Sequence, residues 1–225
     1  MERDATDIAS RIKVRRGPKK GRYDRASVDA VLDSGLLAHV AFADDGEPVC
    51  IPMLYARIDD RIYIHGSTAS RMIRLLAGGA PACVTVTVVH GLVLARSAFE
   101  HSANYDSVVA FGTFTPVQDE AERLRAFEAF TEKLLPGRWE EVRQPNAKEL
   151  KATDILAMEI GDASVKTRSG PPDDDDSVDA ERGTWAGVVP IVSSYGTPTA
   201  SPGLRPGIQL SESVRKLLAS RAPPG

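Results

Sequence analysis

The sequence predicts an antiparallel β-barrel or sandwich with interspersed helices, an α+β arrangement rather than a doubly wound sheet. Three observations lead there. Six or seven short segments rich in β-branched and aromatic residues run between Leu36 and Arg168, most of them joined by turn chemistry. Three amphipathic stretches interrupt them, without the strict strand–helix alternation that a parallel sheet requires. The chain has 225 residues, 42% hydrophobic and 26% charged, enough for one domain with extensions.

Asp24–Ser34 places Val28, Val31 and Leu32 on one face with Gly35 beyond, which predicts a short helix. Leu36–Ala43 reads as a strand, and Asp44-Asp45-Gly46 as the hairpin turn into a second strand, Pro48–Ile58. Pro52 inside that strand predicts an edge or a bulge. Asp59-Asp60 turns the chain into Arg61–His65. A helix follows, carrying Met72, Ile73, Leu75 and Leu76 and stopped by Gly78-Gly79. Ala82–Val89 reads as a central strand, His90-Gly91 as a tight turn, and Leu92–Ala98 and Val108–Val117 as further strands. Asp119–Leu135 predicts a longer helix ended by Pro136-Gly137. Ile155–Ile160 and Ser164–Arg168 close the set, and Leu210–Ser220 is a candidate terminal helix.

Three regions follow: a basic N-terminal arm over 1–22, a barrel over 23–169, and a Pro/Gly-rich extension over 170–225 expected to dock through its apolar island at 185–192. The arm holds eight basic side chains against three acidic ones, although the whole chain carries a net charge of −3. Without a helix-turn-helix, zinc or aromatic-platform pattern, nucleic-acid binding is not expected, and the arm reads as wrapping the body or a partner subunit. The acidic run Asp173–Asp176 reads as a solvated loop. Mean hydropathy is −0.19. No apolar run approaches the roughly 18–20 residues of a membrane span, so no membrane association is expected. The N-terminus lacks the apolar core of a signal peptide. Cys50 and Cys83 give no disulfide framework, and a cytoplasmic protein is expected.

The segment Ile62–Arg71 carries the most chemistry. A strand ends, Gly66 and the hydroxyls of Ser67, Thr68 and Ser70 follow, and a helix begins at Arg71. A helix start offers unpaired N–H groups to an anion such as phosphate, but simple capping accounts for the same residues. His65 could serve as a proton donor, ligand or structural residue. His39, His65, His90 and His101 fall in separate segments, against a zinc enzyme. G-x-S-x-G is absent and neither cysteine has a nucleophile's local signature. Ser97–Tyr105 concentrates polar and aromatic groups between two strands, as a site or subunit contact would.

Together, VCIPMLY (Val49–Tyr55), IYIHGSTASR (Ile62–Arg71), GLVLARS (Gly91–Ser97), HSANYDSVVAFG (His101–Gly112) and WAGVVP (Trp185–Pro190) are similar in order and spacing to the pyridoxamine 5'-phosphate oxidase-like, FMN-binding split-barrel superfamily. The resemblance covers roughly residues 20–192 and is nearest the small flavin-nucleotide-binding proteins. It implies a six-stranded antiparallel split barrel, a homodimer, and FMN in grooves at the subunit interface, acting as an oxidoreductase on a small-molecule substrate. By this similarity the backbone of Pro52, Met53, Leu54 and Tyr55 runs along the isoalloxazine. His65, Gly66 and Ser67 border the ribityl chain, and Ser70 with Arg71 holds the phosphate. Tyr105 and Ser107 approach from the second subunit, and Trp185 is a late aromatic near the cofactor. The R-x-x-x-L-K-like segment and Trp-x-x-Arg element of the vitamin B6 oxidases are missing, which argues against pyridoxine phosphate as substrate. Related proteins reduce nitro groups, and others bind haem or a deazaflavin. The alternative reading is a non-catalytic flavin- or haem-binding carrier or sensor.

Overall fold

A computed structural model describes residues 10–175 and 177–220. The first nine residues of the basic arm and Asp176 of the acidic run lie outside the described residues. The strands are β1 (Gly21–Arg22), β2 (Leu37–Asp44), β3 (Glu47–Leu54), β4 (Ala56–Ile58), β5 (Arg61–Ser67), β6 (Pro81–Leu94), β7 (Ser102–Thr113), β8 (Thr115–Pro116), β9 (Thr153–Glu159), β10 (Asp162–Arg168) and β11 (Gly187–Pro190). Helices α1 (Arg25–Ser34), α2 (Arg71–Ala77), α3 (Glu120–Leu134), α4 (Ala147–Ala152) and α5 (Glu212–Ser220) are interspersed.

Every pairing is antiparallel. One sheet runs β1-β10-β7-β6-β2-β3 with β11 added on β6, and the other runs β4-β5-β9-β8. The two pack against each other as a split barrel, with no strand pairing between them among the described residues. Its interior is apolar because the strands alternate: Val40, Val84, Val86 and Val108 of the large sheet meet Ile62, Ile64, Leu156 and Met158 of the small one, all fully buried. Each such side chain is worth about 1.5–3 kcal/mol relative to exposure. Helix α3 covers the other face of the small sheet, laying Ala126 and Phe130 on Tyr63, Ile155 and Ala157. Local signals set the helix ends. Asp24, Ser70 and Asp119 each accept a backbone N–H in the first turn of α1, α2 and α3.

Asp45 (φ 50°) and Gly46 (φ 87°) supply the left-handed pair of a two-residue hairpin between β2 and β3. Three expectations are corrected. The strand expected over Pro48–Ile58 is two strands in different sheets, because Tyr55 turns into the core between them. Tyr55 is fully buried, and its hydroxyl lies between the carbonyls of Leu32 and Gly35, the latter at 3.1 Å. His90-Gly91 is not a turn: β6 runs straight through, with a register shift against β7 between Val89 and Gly91. A Cβ at Gly91 would stand 2.9 Å from the Val189 carbonyl oxygen, so the glycine admits β11 at this bulge. Finally, Ser102–Tyr105 belongs to β7 rather than to a loop.

Beyond Pro171 the C-terminal extension is tied down at three points among the described residues. Buried Asp174 accepts from the Arg96 backbone N–H (2.6 Å) and guanidinium (2.9 Å). Strand β11 pairs with Gly91–Leu94. Glu141 accepts from the Ser213 amide (2.9 Å), and Arg138 donates to Ser211 Oγ (3.0 Å), seating α5. Among the described residues no helix is long and apolar enough to cross a membrane.

Candidate functional site

The end of β5 and the start of α2 form a compact polar corner. Ser67 Oγ accepts from the Ala69 amide (3.2 Å), and Ser70 Oγ accepts from Ile73 N (3.5 Å). Both hydroxyls thus shape the turn while Ser67 stays exposed. Arg71 leaves 69% of its side chain exposed and pairs with Asp44, which is itself buried at the end of β2. That ion pair raises the Arg71 pKa. Gly66 faces α2: a Cβ there would meet Ile73 Cγ1 at 2.7 Å, so a glycine allows the helix to sit this close.

His65 points the other way, under α3. Its ring lies 4.5 Å from that of Phe130 and 6.2 Å from that of Phe127. Nδ1 is buried with no hydrogen-bond partner, and burial lowers the imidazole pKa, favouring the neutral form. The other expected residues of β3 lie on an edge strand, where Pro52 removes no needed donor. Pro52 is exposed and Met53 and Leu54 half-buried, whereas the Tyr55 side chain is committed to the core beneath the Lys133 ammonium, 4.2 Å from its ring centroid.

The outer face of the large sheet carries a row in register, Pro52, His39, Thr85, Val109 and Ser164. Tyr105 and Ser107 stand on the same face of β7, with Ser107 Oγ 3.0 Å from Thr87 Oγ1. Residues of the N-terminal arm cross this face. Arg11 pairs with Asp162 (2.7 Å) and stacks 4.5 Å over the Phe111 ring. Two adjoining cavities result, of about 370 and 360 Å³, which share Arg11 and Phe111; the first includes Tyr105 and Ser107, and the second extends to Gly46 at the β2–β3 turn. Trp185 is 63% exposed beside β11, its indole over Gly187. The expected residues therefore fall into separate groups: an edge strand, a corner at α2, the outer face of β7, and the extension.

Residues 24–167 match the pyridoxamine 5'-phosphate oxidase family. The chain belongs to that family. Among solved structures, the FAD and haem binding protein of Mycobacterium smegmatis is 44% identical, with a TM-score of 0.83 over 88% of this chain and 97% of its own. A flavocytochrome of Azotobacter vinelandii is 37% identical, with a TM-score of 0.86 over 93% of this chain and 97% of its own. No curated protein matches the chain.

For a member of this family, two groups in the corner and on the sheet face carry weight that sequence reasoning missed. Asp44, read only as a turn residue, is the carboxylate that holds Arg71. The arm, read as a whole, places Arg11 on the sheet face through one ion pair and one aromatic ring. Neither pairing has a local signal, since Asp44 precedes Arg71 by three strands and Asp162 lies 151 residues from Arg11. His90 and His101 are engaged, to Asp106 (2.8 Å) and to the Ser97 carbonyl (2.8 Å). His39 and His65 have no hydrogen-bond partner among the described residues. No group of three or more His, Cys, Asp or Glu side chains suited to a metal ion occurs among the described residues.

Proposed function

We propose that this chain is a flavin-nucleotide-binding redox protein that acts on a small molecule as a homodimer. The observation that carries the reading is the near end-to-end likeness to a protein that binds FAD and haem, at 44% identity. The residues fit such a group. Exposed Ser67 and the free edge of the Arg71 guanidinium suit a phosphate, while His65, whose ring turns under α3, borders this corner through its backbone alone. Ser70 and Gly66 shape the turn, while Pro52, Met53, Leu54 and the backbone at Tyr55 offer an edge for the ring system. Tyr105, Ser107 and Trp185 close the site from a second subunit. A bound flavin supplies hydride and single-electron chemistry, so the protein need only bind, orient and exclude water.

FMN and FAD share the ring system and first phosphate, so one cradle serves both; we take FAD as the resident form because the relative binds it. The second copy covers the outer sheet face, where Leu37, Val89 and Leu92 are each more than 40% exposed. The free thiols of Cys50 and Cys83 accord with a reducing, cytoplasmic setting.

Arg71→Ala removes a charge-assisted phosphate bond and should weaken flavin binding by about 1.5–3 kcal/mol. Unchanged FAD and FMN affinities in fluorescence titrations would sink the phosphate assignment. Flavin reduction by NAD(P)H and reoxidation by an organic acceptor would mark an enzyme; their absence with flavin bound would mark a carrier.

Haem is a second prosthetic group favoured by both relatives, one a haem-binding protein and the other a flavocytochrome. A single histidine can hold a haem iron. His39 and His65, whose rings bond to no protein group among the described residues, are the candidates. Loss of the haem absorption band in one of the two alanine variants identifies the ligand, and a full band in both removes the assignment.

A further inference from the structure

We propose that the cavity between the N-terminal arm and the outer face of β7 and β10 binds the phosphates of a nucleotide. Its volume of about 370 Å³ falls among small-molecule pockets. The arm is fixed over the sheet at both ends of the crossing. Arg11 holds Asp162 at 2.7 Å and covers Phe111, and the Val14 amide donates to the Tyr23 hydroxyl at 2.8 Å. Between and beyond these clasps, Lys13, Arg15 and Arg16 line the cavity from above, and Lys166 lines it from β10. None of these four cations has a carboxylate or hydrogen-bond partner among the described residues, whereas Arg11, Arg25, Arg57, Arg61, Arg71 and Arg96 are all paired.

Four positive charges with no partner among the described residues repel one another around one cavity, and an anion with several negative oxygens relieves that repulsion. Tyr105 and Ser107 add hydroxyl groups to the wall. The Phe111 face is taken by Arg11, and Val109 with Ile12 gives the cavity an apolar floor against which a base can lie. Cations above, hydroxyls at the side and an apolar floor suit a phosphorylated nucleoside better than a simple ion. This chemistry has two sources, the adenylate half of a flavin dinucleotide or a free nucleotide. It stands on the cavity and does not need the flavin reading.

The test is calorimetric titration of the full-length protein with ADP and with pyrophosphate, with any flavin released during the titration measured by fluorescence. We expect ADP to bind, more weakly at raised ionic strength. Lys13→Ala/Arg15→Ala/Arg16→Ala should weaken binding by at least about tenfold. Lys148→Ala/Lys151→Ala/Arg205→Ala removes the same charge elsewhere and should leave it unchanged. Mutual displacement of ADP and FAD, with FMN indifferent, would identify the dinucleotide's adenylate as the occupant; ADP binding untouched by FAD would identify a free nucleotide. Failure of ADP and pyrophosphate both to bind and to release flavin, or equal weakening by both triple variants, would overturn the proposal. FMN titration alongside reports on the flavin reading separately, since FMN lacks the adenylate.

Discussion

Replacing Gly66 by alanine separates two reasons for a glycine at that position, a close cofactor and a close helix. The structure favours the helix. A Cβ would stand 2.7 Å from Ile73 Cγ1 and 3.0 Å from Cδ1, while ordinary contact begins at 3.4 Å, a shortfall of 0.7 Å at the nearer atom. Ile73 is 1% exposed and belongs to the barrel core, so it has little room to retreat. Overpacking of this kind costs about 1–3 kcal/mol. Ile73→Ala alone removes the contact but opens a cavity, at about 2–5 kcal/mol. If the clash carries the effect, the double variant should be less destabilised than the sum of the singles by about 1–3 kcal/mol. Urea unfolding of the four proteins, with unchanged dependence on denaturant, measures this. A Gly66→Ala variant within about 0.5 kcal/mol of the parent, or strictly additive effects, would refute the packing argument.

Three further outcomes are expected. Burial lowers the His65 pKa, so below about pH 6.5 the unfolded chain binds the proton more readily and stability falls with pH. His65→Leu should flatten that part of the profile in thermal melts, and parallel profiles would contradict the assignment. The Ser213 hydroxyl and amide pull the Glu141 pKa from 4.5 down to about 2, so its hold on α5 is present above 4.5 and is lost as pH falls toward 2. Glu141→Gln should therefore speed protease cleavage between residues 193 and 211 at neutral pH; an unchanged rate would dissociate Glu141 from the docking of α5. Gly91→Val places side-chain atoms against the Val189 carbonyl, and amide exchange across Gly187–Pro190 should accelerate, whereas unaltered protection would show that β11 docks without the bulge.

Much of the fold is legible locally. Asp24, Ser70 and Asp119 announce their helices because an N-cap acts within three residues, and Asp45-Gly46 announces its hairpin because the turn needs left-handed backbone. What fails depends on partners far along the chain. The break at Tyr55 is set by the carbonyls of Leu32 and Gly35, twenty or more residues earlier. Gly91 reads as a turn until β11 arrives from the extension to occupy the space its missing side chain leaves. In the candidate site, the strand–hydroxyl–helix order around Ser67 and Ser70 marks a polar corner without further help. The Arg71–Asp44 pair and the arm across β7 do not, since each joins charges that only the folded barrel brings together.

The absorption spectrum of the purified protein, before and after adding FAD or FMN, decides whether this chain holds a flavin. Flavin bands near roughly 370 and 450 nm, with quenched flavin fluorescence, are expected. A further band near about 400 nm is expected where haem is also held. A colourless protein that takes up neither flavin would overturn the flavin assignment.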